Sequence, residues 1–148
     1  MLIAVREMGV LIFDAITGQI IYNMDLSGYM CPEDEKNLGF FDVKNIVIRH
    51  QSEFHVLTNF AVLIVKMNKE FKEFNQQEFK KNHILQTCII HEVVVRPINY
   101  QLRTFTDQVV SNQHGYVVLM SQSYGPNLFD YYLMCVSFYA DENSKLLK

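Results

Sequence analysis

Along most of this chain, apolar and polar residues alternate in short runs rich in Val, Ile, Phe, Tyr and Thr, the texture of pleated strands with one buried face. The runs fall at Leu2 to Val5, Val10 to Phe13, Gln19 to Tyr22, Val43 to Arg49, Phe54 to Leu57, Ala61 to Met67, Ile84 to Ile90, Glu92 to Arg96, Gln101 to Phe105, Tyr116 to Ser121 and Tyr131 to Tyr139. Most have the length of an ordinary strand. Thr17-Gly18 predicts a hairpin turn, because glycine takes the positive φ that a tight turn needs. Gly28 to Gly39, with Pro32, Asn37 and the charged run Glu33-Asp34-Glu35-Lys36, predicts an exposed loop, and Ser123 to Asn127 a second one. The pattern predicts one β-rich domain over residues 1–140 and a polar tail at 141–148.

One segment breaks the alternation. From Lys69 to Asn82, Phe71, Phe74 and Phe79 share a face at 100° per residue, Lys69, Glu70, Lys72, Glu73, Lys80 and Lys81 can face water, and Asn68 can cap the start. A helix there would turn the architecture into a small α+β domain, similar to the longin-type and profilin-like modules that act as trafficking and assembly adaptors.

A search for repeats points the other way. Aligning Val10-Leu11-Ile12, Val62-Leu63-Ile64 and Val93-Val94-Val95 brings apolar runs into register eight residues earlier, at Leu2, Phe54 and Leu85, and an aromatic twelve residues later, at Tyr22, Phe74 and Phe105. The copy intervals are 52 and 31 residues. Such units of consecutive antiparallel strands cannot bury their apolar faces without a stacked neighbour. The first copy, Gly9 to Tyr22, resembles the third and fourth strands of a WD-repeat propeller blade: Phe13-Asp14 stands where that family has Trp-Asp, and Thr17-Gly18 at its strand-linking turn. The other copies carry Val65-Lys66 and Arg96-Pro97 in place of the dipeptide, and the chain has no Trp. The resemblance implies an all-β fold of three to four antiparallel propeller-like blades. Whole propellers have about 4–8, so the ring would be incomplete and closed by another chain or a second copy.

Composition narrows the function classes. The 148 residues are 49% hydrophobic, with 13 Lys and Arg against 16 Asp and Glu and a formal charge of −3, so the basic surplus that drives nucleic-acid binding is missing. Three cysteines, Cys31, Cys88 and Cys135, cannot form a complete disulfide framework, which favours a reducing, cytoplasmic compartment. The N-terminus does not read as a signal peptide, and no apolar stretch approaches the roughly 20 residues of a spanning helix. Membrane insertion is therefore not expected.

Candidate chemistry is sparse. His83, Cys88 and His91 are close in sequence, but residues 88 and 91 would face opposite sides of a strand. His50, His55 and Cys31 lack the paired close spacing of a zinc site. Glu33, Asp34 and Glu35 read as one solvated group, the glycines are too isolated for a phosphate cradle, and no serine sits in a glycine elbow. Lysines 66, 69, 72, 80 and 81 are interleaved with Glu70, Glu73 and Glu78, as on a solvated face. The expectation is no catalytic residue, no metal, no cofactor and no small-molecule substrate. What is left is a non-catalytic protein–protein interaction module or scaffold subunit, whose partners are other protein chains or further copies of itself. Its candidate contact residues are the aromatics Phe40, Phe41, Tyr124 and Tyr131.

Overall fold

A computed structural model describes residues 2–50, 52–68 and 90–139. They form ten strands: β1 (Leu2–Arg6), β2 (Gly9–Phe13), β3 (Ile20–Asp25), β4 (Val43–His50), β5 (Glu53–Thr58), β6 (Ala61–Met67), β7 (Ile90–Pro97), β8 (Thr104–Asn112), β9 (Gly115–Gly125) and β10 (Leu128–Ser137). The proposed helix over 69–82, the expected strand start at Ile84, and the tail lie outside the described residues. The strands make three open antiparallel sheets in chain order: β1-β2-β3, β4-β5-β6-β7 and β8-β9-β10. The protein is all-β with three blade-sized sheets, none of them closed.

Three antiparallel sheets on this scale can bury their apolar faces only against each other. Val10, Ile12 and Met24 of the first sheet share one core with Phe54, Val56, Leu63 and Val65 of the middle sheet. The opposite face of the middle sheet, through Val47, Leu57, Val62 and Ile64, shares a second core with Phe105, Tyr116, Val118 and Met120 of the third. The middle sheet is thus covered on both sides, which explains the unbroken apolar run in β6 where a half-exposed strand would alternate.

The repeat exists, but in a different register from the apolar triplets. Val62–Ile64 and Val93–Val95 are not equivalent strands of separate sheets; they belong to neighbouring β6 and β7, with Leu63 opposite Val95 and Ile64 opposite Val94. Equivalence follows the backbone instead. In each sheet the residue before the second strand accepts a hydrogen bond from the end of the third: Leu26 N–H to Met8 O, Met67 N–H to Ser52 O and Phe138 N–H to His114 O. This superposes Val10, Phe54 and Tyr116, then Ile12, Val56 and Val118, all six of them buried. Met8 to Ser52 is 44 residues and Ser52 to His114 is 62, so only the first interval falls in the ~40–45 of a propeller blade repeat.

The superposition also gives each sheet a front, the face carrying these residues, and a back. The fronts of the first and middle sheets meet each other. The third sheet lays its front on the middle sheet's back. A closed ring repeats a single rotation, so front must meet back at every step; only the second of these two contacts follows that rule.

Two local expectations need correction. Gly28 to Gly39 is not a loop: it holds a 3₁₀ turn (Ser27–Tyr29) and helix α1 (Pro32–Leu38). Pro32 presets the first helical φ, and the Asp34 carboxylate accepts the Cys31 N–H at 3.2 Å. Glu33, Asp34 and Glu35 sit at the positive end of the helix dipole, and Gly39 ends it with φ +78°, donating its N–H to Glu35 O. The run Gln101 to Phe105 is the second correction, because the strand runs from Thr104 to Asn112. Asp107 and Gln108 hide it by falling in an irregularity between Phe105 and Val109. There Thr106 Oγ1 donates to Leu119 O at 2.9 Å, and the Asn45 side chain donates to Asp107 O at 2.7 Å. The hairpin turn at Gly18, with φ +70°, lies where the sequence predicts it; the loop expected over Ser123 to Asn127 shrinks to a tight turn at Pro126-Asn127, with φ +63° at Asn127, because β9 runs on through Gly125.

Candidate functional site: the back of the third sheet

The back of the third sheet is an exposed apolar surface. On β9 the positions of this parity are the buried Gly115, then Val117, Leu119, Ser121 and Ser123, and opposite them on β10 stand Ser137, Cys135, Leu133, Tyr131 and Phe129. None carries a charge. Val110 on β8 extends the face beside Val117. Val110 is 77% exposed, Leu133 70% and Tyr131 61%. Isolated exposed apolar residues are normal, but a contiguous face of them marks an association site. At its margin β10 is a ten-residue strand with no described partner beyond β9, and such an edge offers unpaired backbone groups to another chain.

The expected contact residues divide. Tyr131 lies on this face. Tyr124, 54% exposed, belongs to the front parity at the end of β9, where its hydroxyl is 3.4 Å from that of Tyr132; this hydrogen bond, with burial behind it, pushes the Tyr124 phenol up to about 12. Tyr132 in turn lies under the Arg103 guanidinium, 3.9 Å from its ring centroid. Phe40 is 66% exposed, ahead of β4 and not part of the third sheet, and its carbonyl accepts a hydrogen bond from Asn59. Phe41 is corrected as a surface anchor: it is buried in the first core, its ring centroid 6.0 Å from that of Phe60. Val110, Leu119 and Leu133 were missed by sequence reasoning. The available signal was the absence of charge at every second position of 115–123 and 129–137.

A polar cluster occupies one end of the interface between the middle and third sheets. Glu53 and His55, on the middle sheet's back, are buried. Arg49 Nη1 reaches Glu53 Oε2 at 2.9 Å, His55 Nε2 lies 3.5 Å from the same oxygen, and His55 Nδ1 is 2.9 Å from the Tyr116 hydroxyl. Burial raises the Tyr116 phenol, and because the Glu53 carboxylate beside Nε2 can only accept, the arrangement suits a tautomer in which Tyr116 donates to Nδ1. The imidazole proton then sits on Nε2, facing Glu53. Burial also lowers the His55 pKa from 6.5, against the pull of Glu53. Of the other histidines and Cys31 weighed above, His50 ends β4 and holds Ser52, Cys31 starts α1, and His91 is exposed on β7. His83 and Cys88 lie outside the described residues.

A pH prediction follows from His55. Its folded pKa lies below the unfolded value, so the unfolded chain binds the extra proton first; the stability it contributes is whole above about 6.5 and falls as pH drops below that. Urea midpoints at pH 7.5 and 5.5 should differ, and His55→Gln should shrink the difference.

Among the described residues no helix is long and apolar enough to cross a membrane. Compared with family models, characterised proteins and solved structures, the chain matches none.

Proposed function

We propose that the protein is a non-catalytic interaction module, a scaffold subunit whose third sheet docks another protein chain through its back. The observation that carries this reading is the uncharged face of β9 and β10 with Val110, Tyr131 and Leu133 exposed on it. The chain's own packing supports it: the back of the middle sheet is covered by the front of a further sheet. Continuing that step places a partner's sheet on the third sheet's back, in the manner of an added propeller blade.

A photo-crosslinking residue at position 133 tests this in cells. It should give one dominant protein adduct, and the same residue at Glu92, on the exposed part of β7, should not. Equal, diffuse labelling from both positions would contradict the docking face. Leu133→Asp should abolish the adduct from a crosslinker at 131 while changing stability by no more than about 0.5 kcal/mol, since its side chain leaves the core alone.

A further inference from the structure

Among the described residues six strands lie at the edge of a sheet: β1, β3, β4, β7, β8 and β10. An edge offers its backbone to other chains, and proteins blunt that offer with short strands, charges, proline or bulges. β1 and β3 have five and six residues and end in Arg6 and Asp25. β4 carries Lys44 and Arg49 and two breaks in register, β7 carries Glu92 and Arg96 and ends in Pro97, and β8 is interrupted between Phe105 and Val109, where Asp107 lies. β10 has none of these defences: it runs ten residues, keeps an unbroken register with β9 from Phe129 to Ser137 and holds one charge, Asp130.

One bond sets the direction of its backbone groups. Phe138 N–H donates to His114 O, one step past the Ser137–Gly115 pair, so residues 138 and 114 form a hydrogen-bonded pair. Along an antiparallel ladder such pairs alternate with unbonded ones. The even-numbered residues of β10 therefore bond to β9, while Tyr131, Leu133, Cys135 and Ser137 turn their N–H and C=O toward the open edge. A copy of the same strand matches that edge. A two-fold axis sets two identical strands antiparallel, each patch meeting itself, and an axis at Leu133 uses every regular residue from 129 to 137. Leu133 then meets Leu133 of the second copy, Tyr131 meets Cys135, and on the opposite face Tyr132 meets Met134. Both tyrosines face a sulfur-bearing side chain, a favourable contact for an aromatic ring. Asp130 falls opposite Val136, so the one charge of the strand does not face its own copy. The other five edges bring the charges, breaks or short length that oppose such pairing.

We propose that β10 pairs edge to edge with β10 of a second copy, joining two third sheets into one six-stranded sheet about a two-fold axis at Leu133. This pairing lies in the plane of the sheet, so the two uncharged backs merge into one face that stays open, with Cys135 accessible on it. It is independent of the docking reading, which uses the face and not the edge.

The test uses the purified full chain. Sedimentation should shift with concentration from one chain to two. With Cys31 and Cys88 replaced by serine, Tyr131→Cys should form an intermolecular disulfide with Cys135 on mild oxidation, because hydrogen-bonded antiparallel partners stand about 5.5 Å apart at Cα, within disulfide range. Positions 131 and 135 of one chain are about 13 Å apart along the strand and cannot close on themselves. This linked dimer should form at least tenfold faster than one from Ile16→Cys, on the exposed β2–β3 turn. Leu133→Lys sets like charges opposite each other at the axis and should raise the dissociation constant at least tenfold, whereas Val110→Lys, on the same back but on β8, should leave it unchanged. A chain that stays monomeric at every concentration, a disulfide from position 131 no faster than from position 16, or loss of the dimer in both lysine variants, the sign of association face to face, overturns the proposal.

Discussion

Phe54→Ala is expected to lower the unfolding free energy by about 3–5 kcal/mol, since Phe54 is the largest fully buried side chain among the described residues. Phe54 is fully buried on the front of the middle sheet, in the core shared with Val10, Ile12 and Met24 of the first. Removing the ring forfeits its transfer from water and leaves a void that two sheets, each tied by its own ladder, cannot fully close around. Because both sheets lose packing, the loss should appear as a single earlier transition in urea and not as the release of one sheet. Ile16→Ala, at the β2–β3 turn where the side chain is 94% exposed, is the control and should change stability by less than about 0.5 kcal/mol.

The second large effect is expected at two equivalent glycines. Gly9 and Gly115 begin the second strands of the first and third sheets, each just after the residue whose carbonyl receives the long-range backbone hydrogen bond. A Cβ at Gly9 would run into the Met24 carbonyl oxygen, and one at Gly115 into the Val136 carbonyl oxygen. In both cases the obstacle is backbone, which cannot rotate away as a side chain would. Gly115→Ala should therefore cost at least the ~1–3 kcal/mol of an overpacked core, through displacement of β10 from β9, and Gly9→Ala a similar amount through β3. Gly28→Ala, where an added Cβ meets nothing within 4 Å, separates this steric cost from the general effect of replacing glycine. The middle sheet has Glu53 at the matching position, so the close approach belongs to the two outer sheets.

The strands were legible in the sequence because a period of two is a strong signal wherever one face is buried, and Gly18 and Asn127 marked their turns by chemistry. The true repeat was not legible. The residues that make the equivalent backbone bond are Met8, Ser52 and His114, and the residues that superpose behind them are Val10, Phe54 and Tyr116; carbonyl hydrogen bonding selects no side chain, and a core position accepts any apolar residue that fills it. Apolar triplets such as Val62–Ile64 and Val93–Val95 matched because both strands are heavily apolar, and they proved to be partners in one sheet. Helix α1 gave no signal because, of its seven residues, only Leu38 packs against the core, and one apolar position makes no stripe. Tyr131 was found as an exposed aromatic, but its neighbours Leu133 and Val110 were not, since alternation shows that a strand has two faces without showing which one the fold leaves open.

That open face carries its own reporter. Cys135 sits on it, exposed, opposite Val117. With Cys31 and Cys88 replaced by serine, the rate at which a thiol reagent modifies Cys135 can be compared between the purified chain and the chain in intact cells. Rapid modification of the isolated protein and marked protection in cells, with the protection lost in Leu133→Asp, is the result expected of a docking surface; equal rates in both settings, unaffected by Leu133→Asp once reagent entry is normalised to an exposed thiol at Glu92→Cys, would contradict it.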